Sequence, residues 1–431
     1  MERLWEREYK KKRISAEKAA SLIQNGDSLT SGGREPATIL EELGIRTDLK
    51  DVIYYCFEAN FLHLLKNLGK GLTAYTSFLD NLNRSYAEQG LLNYLPSGFS
   101  GFKKNALKGL KCNVALPTVS PPDKDGYVSL GNSADMIADV CREADTVIAE
   151  INQYIPFVHG DNVMHISELD YIVEGRGYPM NIRQIDTSDD RREVYQKIGG
   201  YLSDLIDDGA TLEVGIGRLN ASSLMYLENT RDLGVHTEIY GDIFMELTKK
   251  GYITNQKKTL NPGISVCTQL VGSEELLKYA SNNLAIRMNR CNNVLNPGVI
   301  AGNNKMTAIN NAIQMDLLGQ GNAEYLKGIQ YSGMGGIGDF ATGAANCPDG
   351  KSIIVIESTT RNGKYSKIVP YFTPGTPVSL NRISVEYVVT EYGVATLLGK
   401  SVPKRTREML QIAHPSFREE LAHKAAALGI I

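Results

Sequence analysis

The residues best suited to chemistry lie in Gly234-Val235-His236-Thr237-Glu238-Ile239-Tyr240-Gly241-Asp242. The segment starts with an apolar–polar alternation, a strand pattern. It passes through small and acidic residues into Ile243-Phe244-Met245-Glu246-Leu247-Thr248-Lys249-Lys250-Gly251, which reads as a helix closed by Gly251. Glu238 therefore falls where a strand runs out into a loop, the edge at which open α/β sheets bind ligands. A solvated carboxylate at a strand end is the plainer alternative. As a reacting group, a glutamate with an intrinsic pKa of ~4.3 is already an anion at neutral pH and needs no general base to attack a carbonyl. Attack on a thioester gives an acyl anhydride, whose forming oxyanion calls for backbone N–H donors and whose survival calls for exclusion of water.

Two glycine-rich stretches can supply such donors. Gly215-Ile216-Gly217, between a strand and a helix, exposes amides near a helix N-terminus, which favours anions. It is a weak signal alone, because Asn220 stands where a dinucleotide fingerprint has its third glycine. Ser332-Gly333-Met334-Gly335-Gly336-Ile337-Gly338-Asp339-Phe340 is denser in glycine than packing requires and lets a ligand lie close to the backbone. A tight turn in the first case and loop flexibility in the second remain the simpler readings. His63, His165 and His423 have no ligand-like or triad-like neighbours. His159, in the turn Pro156 to Asp161, reads as a hydrogen-bonded structural histidine or a substrate-positioning one. The absence of HExxH and GxSxG removes support for hydrolytic metal and serine chemistry.

The elements that must position these residues occur twice. Ser15 caps a helix through Leu22-Ile23 that stops at Gly26; the strand Asp27 to Thr30, the pair Gly32-Gly33 and a helix from Ala37 to Leu43 follow. Tyr201 to Asp208 is again a helix, stopped by Gly209, followed by the strand Ala210 to Val214, Gly215-Ile216-Gly217 and a helix through Ala221 to Leu227. The offset is 183 residues from Gly26 to Gly209 and 184 from Gly33 to Gly217. This indicates an internal duplication, two α/β domains of related topology. An offset of 184 sets Tyr54 of the first copy against Glu238 of the second. The boundary is expected in the polar stretch Ile185 to Arg192, giving domains 1–187 and 188–431.

A chain of 431 residues is too long for one core and comfortable for two. With 42% hydrophobic and 22% charged residues and a net charge of -3, there is no electrostatic case for nucleic acid or an anionic membrane as partner. Cys56, Cys112, Cys141, Cys267, Cys291 and Cys347 show no CxxC spacing, which argues against a structural metal and suits reduced thiols in the cytoplasm. No charged-then-apolar leader and no run of ~18 apolar residues occurs, so a cytoplasmic protein is expected.

Taken together, the motifs resemble the acetyl-CoA hydrolase/transferase family, in particular its butyrate and 4-hydroxybutyrate CoA-transferase branch. The resemblance runs over nearly the whole chain. It includes Ile14 to Ala20, Val119 to Gly131, Val147 to Asn152, Pro156 to Asp161, Gly215-Ile216-Gly217, His236-Thr237-Glu238, Ala308 to Gln320, Ser332 to Phe340, Val388 to Ala395 and Ile412 to Glu419.

The resemblance implies two open α/β domains of the NagB/RpiA type with the active site in the cleft between them. It implies ping-pong transfer of coenzyme A, bound as acyl-CoA substrate without a metal, between small carboxylic acids. Glu238 would be the catalytic nucleophile, passing through an anhydride to a glutamyl-CoA thioester. Gly215, Ile216, Gly217, Arg218, Leu219, Ile313, Gly335 and Gly336 would contact CoA, and relatives suggest a homodimer. Three departures bear on the acid taken: Asn220 replaces the usual proline, Ile337 replaces a glutamine, and Phe157 replaces an arginine. The acids implied are acetate, butyrate or 4-hydroxybutyrate. The alternatives are a hydrolase using the same glutamate, or a transferase for itaconate or succinate with Arg34 or Arg84 as partner of the distal carboxylate. A non-catalytic CoA- or nucleotide-binding protein is the reading from another class.

Overall fold

A computed structural model describes residues 3–134, 137–177, 191–228 and 230–431. The chain divides into two compact units, Met1–Arg183 with Val266–Asn293, and Gln184–Ser265 with Val294–Ile431. The return of 266–293 to the first unit is not anticipated by a single cut. The expected cut at 187/188 lies outside the described residues.

The first unit is built on a parallel sheet. Its strands are β1 (Arg13–Ile14), β2 (Ser28–Ser31), β3 (Val52–Cys56), β4 (Leu72–Thr76), β5 (Leu92–Tyr94), β6 (Val114–Ala115), β7 (Thr146–Ile151) and β8 (Tyr171–Glu174). They lie in the order β1-β8-β7-β6-β2-β3-β4-β5, with Thr118–Val119 also paired to β7. Helix α1 (Ala16–Leu22) starts at Ser15, whose hydroxyl accepts from the Lys18 amide at 3.0 Å. The chain then turns at Gly26, φ +83°, a conformation that glycine enters without steric cost. Helix α2 (Ala37–Gly44) follows β2 and buries Ile39, Leu40 and Leu43 against Leu29, Val52 and Tyr54.

The second unit repeats the plan. Helix α3 (Arg192–Leu205) leads through Gly209, φ +73°, into β9 (Thr211–Val214), then α4 (Arg218–Leu224), β10 (Gly234–Val235) and α5 (Asp242–Lys249). Strands β11 (Thr307–Asn311), β12 (Lys351–Val355), β13 (Tyr387–Thr390) and β14 (Gly393–Thr396) complete a sheet of order β10-β9-β11-β12-β13-β14, antiparallel only at the last pair. Helix α6 (Ile337–Asn346) precedes β12, and α7 (Val402–Ile412) and α8 (Pro415–Ala427) close the chain. The core of this unit joins Ile354, Val388 and Ala395 of the sheet to Met409 and Leu421 of the last two helices. All four residues of β9 are buried, as a central parallel strand requires.

Strand register makes the duplication concrete and corrects one pairing. Leu29 stands opposite Tyr54 and Val114, and Leu212 opposite Val235 and Thr307. Val114 pairs with Thr146 and Thr307 with Lys351; Ile148 pairs with Tyr171 and Ile353 with Tyr387. The same register therefore runs through five strands of each sheet. It sets Tyr54 against Val235, not against Glu238 as the constant offset of 184 suggested. The counterpart of Glu238 is Phe57. The loop between the second strand and its predecessor differs in length between the copies, and a fixed offset carries that difference into the strand as a slip.

Candidate functional site

β9 delivers the Gly215 turn. The Gly215 amide donates to the Ile309 carbonyl at 2.8 Å, so the turn starts as an extension of the pairing with β11. A Cβ on Gly215 would collide with Asn310 Oδ1. Gly217 has φ +141°, and a Cβ there would come 2.6 Å from Asn311 Nδ2. Neither position admits a side chain, which accounts for the GxG pattern at this strand–helix junction. Ile216 is exposed, while Arg218 and Leu219 are half-buried at the start of α4. Asn220 is buried and donates through Nδ2 to the Gly215 carbonyl at 2.9 Å. The residue that departs from the family pattern thus ties the turn to its helix by a side-chain bond that proline cannot make.

β10 delivers Glu238, over a shorter strand than the alternation from Val235 to Glu238 indicates. The His236 amide still donates to the Leu212 carbonyl at 3.0 Å. Thr237 then turns the chain away: its hydroxyl takes the Val214 amide at 3.5 Å and donates to the Ile239 carbonyl at 3.1 Å. His236 is buried, with Nε2 at 2.8 Å from the Val294 carbonyl, so it donates from Nε2. Burial pushes its pKa down to about 4, which holds the ring neutral. The imidazole is fixed by that bond, its ring centroid 6.2 Å from that of Phe340 in α6.

Glu238 itself is half-buried in the bend after β10. A Cβ on Gly335 would lie 3.6 Å from its Oε1 and 3.9 Å from its Oε2, and a Cβ on Gly336 would collide with Oε2 and with Leu295 Cδ2. Gly336 is the residue at the N-cap of the ten-residue helix α6. The carboxylate therefore rests against a glycine pair at a helix N-terminus, where unsatisfied amides and the helix dipole favour negative charge. Glu238, Gly335 and Gly336 are brought together. The Gly215–Leu219 turn belongs to the neighbouring strand end. Ile313 lies two residues past β11, half-buried, with its amide donating to the Asn322 carbonyl at 2.8 Å; it takes no part in these contacts.

The residue that sequence reasoning passed over is Glu213. It lies within β9, is buried, and accepts from Asn310 Nδ2 at 2.7 Å. Burial, and next the charge of Glu238, push its carboxyl well above the usual range. A carboxylate in the middle of a strand that otherwise reads as buried was the available signal.

In the first unit, Arg34 Nη1 donates to the Gly33 carbonyl at 3.4 Å and Arg84 Nη1 to Asn81 Oδ1 at 3.1 Å. Phe157 packs edge-on to His159, with ring centroids 5.4 Å apart. All six cysteines are buried as thiols. Among the described residues there is no group of three or more His, Cys, Asp or Glu side chains arranged to hold a metal, and no helix long and apolar enough to cross a membrane.

Parallel sheets in two units define an α/β protein, and the second unit sets a carboxylate on a glycine-lined helix start. The models of the acetyl-CoA hydrolase/transferase N-terminal and C-terminal domains match residues 72–182 and 272–425. The 4-hydroxybutyrate coenzyme A transferase of Clostridium kluyveri is 38% identical over 429 residues, covering 97% of this chain and 98% of that protein. The crystal structure of RipA from Yersinia pestis superposes with a TM-score of 0.92 at 33% identity, covering 100% of both chains. A 4-hydroxybutyrate CoA-transferase structure from Porphyromonas gingivalis gives 0.81 at 30% identity, covering 98% of this chain and 100% of that one. The chain belongs to the acetyl-CoA hydrolase/transferase family and is an enzyme of the CoA-transferase kind.

Proposed function

We propose that this enzyme is an acyl-CoA:carboxylate CoA-transferase for small acids of the acetate, butyrate and 4-hydroxybutyrate type, with Glu238 as nucleophile. The observation that carries this reading is the Glu238 carboxylate resting against Gly335 and Gly336 at the start of α6. An Oε of Glu238 attacks the thioester carbonyl carbon and CoA leaves as thiolate, giving a mixed anhydride. The thiolate then attacks the Glu238 side-chain carbonyl carbon, releasing the first acid as its carboxylate and leaving a glutamyl-CoA thioester. An incoming carboxylate reverses both steps: it displaces the thiolate, which then takes the new acyl group and frees Glu238. Each oxyanion forms beside the glycine pair, where backbone amides at a helix start can stabilise it. One thioester replaces another, so the exchange needs no other energy source.

Gly215 to Leu219, with Gly335 and Gly336, are the residues we assign to CoA; Ile313 belongs to the same assignment by resemblance only. Ile337 at the head of α6, beside Gly336, makes the surroundings of Glu238 less polar than the glutamine of the family pattern would. That favours monocarboxylates over succinate or itaconate, and the name of the Clostridium kluyveri relative points to the same class.

Glu238→Ala should abolish transfer from butyryl-CoA to acetate. Hydroxylamine or borohydride, added after acyl-CoA alone, should modify the peptide that contains Glu238 and no other. Transfer by the alanine variant at the wild-type rate would overturn the assignment. Release of free CoA at the same rate with and without added carboxylate would instead identify a hydrolase.

A further inference from the structure

We propose that Glu213 is a positioning residue for this CoA transfer: through Asn310 it sets the Gly215–Leu219 turn. The chain of contacts is continuous. Glu213 Oε2 accepts from Asn310 Nδ2 at 2.7 Å, which ties the Asn310 amide to β9. Its other atom, Oδ1, is the one that a Cβ on Gly215 would strike, so the amide packs directly on the turn. Asn220 Nδ2 holds the Gly215 carbonyl at 2.9 Å and lies 3.5 Å from that same Cβ position. Gly215 thus packs against two asparagines, one of which is held by Glu213. Glu213 and Asn310 are both buried, so water cannot readily stand in for either partner.

Burial and the charge of Glu238 favour the neutral form of Glu213. The β10 end contributes two ionisable groups, His236, held neutral by burial, and Glu238, whose charge acts on Glu213. β11 contributes the uncharged Asn310 and the Ile309 backbone. An ionised Glu213 would add a second, buried negative charge near the nucleophile.

The inference rests on Glu238 as nucleophile and on the Gly215 turn as a CoA contact, so both are read in one experiment. Steady-state kinetics, thermal melting and hydroxylamine trapping would be run on wild type, Glu213→Ala, Glu213→Gln, Asn310→Ala and the Glu213→Ala/Asn310→Ala double variant. Glu213→Ala and Asn310→Ala should each raise the KM for acyl-CoA about tenfold, the scale of one buried hydrogen bond, with a smaller change in kcat. The double variant should be no worse than the poorer single one, because the two side chains act as one unit. Glu213→Gln keeps the acceptor without a charge, so it should restore the KM to within about twofold of wild type.

Should Glu213→Ala lower the melting temperature while leaving the KM for acyl-CoA unchanged, or Glu213→Gln fail to restore it, the positioning role is refuted. If Glu213→Ala does not fold, the Asn310→Ala and Glu213→Gln results decide alone. If wild type yields no trapped Glu238 thioester, the underlying functional reading fails instead.

Discussion

Gly336→Ala tests the placement of Glu238 without touching its chemistry. Gly336 has φ -99° and ψ 7°, a backbone conformation that alanine can take, so the substitution acts through its methyl group alone. That methyl would collide with Glu238 Oε2 and Leu295 Cδ2. Both atoms end rotatable side chains, so the fold yields by swinging them aside, and the carboxylate oxygen retreats by about 1 Å to regain van der Waals distance. A displacement of that size costs on the order of 100-fold in rate, or about 2.7 kcal/mol on the barrier. Gly335→Ala is the contrasting case. Its Cβ would meet the Glu238 oxygens at 3.6 and 3.9 Å, ordinary contact, but φ is +56°, where an alanine costs about 1–2 kcal/mol. Transfer from butyryl-CoA to acetate, measured beside thermal melting, should separate them. Gly336→Ala should lose kcat with little change in melting temperature, and Gly335→Ala should lose stability with the smaller fall in kcat. A Gly336→Ala enzyme that kept kcat within about threefold of wild type would refute the geometry on which the nucleophile rests.

Two further perturbations follow from buried polar groups. Burial pushes the Glu35 and Glu150 carboxyls from 4.5 up to about 7. The unfolded chain releases those protons near 4.5 while the folded chain holds them, so their stabilisation is full below about 4.5 and is lost as pH rises through about 7. Each group is worth roughly 3 kcal/mol across that window. Urea unfolding of Glu35→Gln and Glu150→Gln should show a flatter pH dependence there, and an unchanged slope in both would contradict the assignment. Asn220→Ala removes the donor to the Gly215 carbonyl, a loss of about 1 kcal/mol. It should raise the KM for acyl-CoA several-fold, and an unaltered KM would show that the turn is held without that amide.

Sequence by itself determined the alternation of helix, glycine stop, strand and glycine turn in both copies. These are local rules: a capping serine at Ser15, glycine in the left-handed conformation at Gly26 and Gly209, and buried apolar runs in central strands. It also brought forward Glu238 and the two glycine loops, because a charge after a strand pattern and glycine without a packing reason are visible in one dimension. Tertiary structure decided what those residues touch. Only the strand register shows that Val235, not Glu238, answers Tyr54, since loop lengths differ and an offset cannot see pairing. Only the folded chain brings Gly336, 98 residues further along, against the Glu238 carboxylate, or sets Asn310 between Glu213 and Gly215. Those contacts join separate strand ends, and which ends meet is fixed by packing of the whole sheet, which no local spacing encodes.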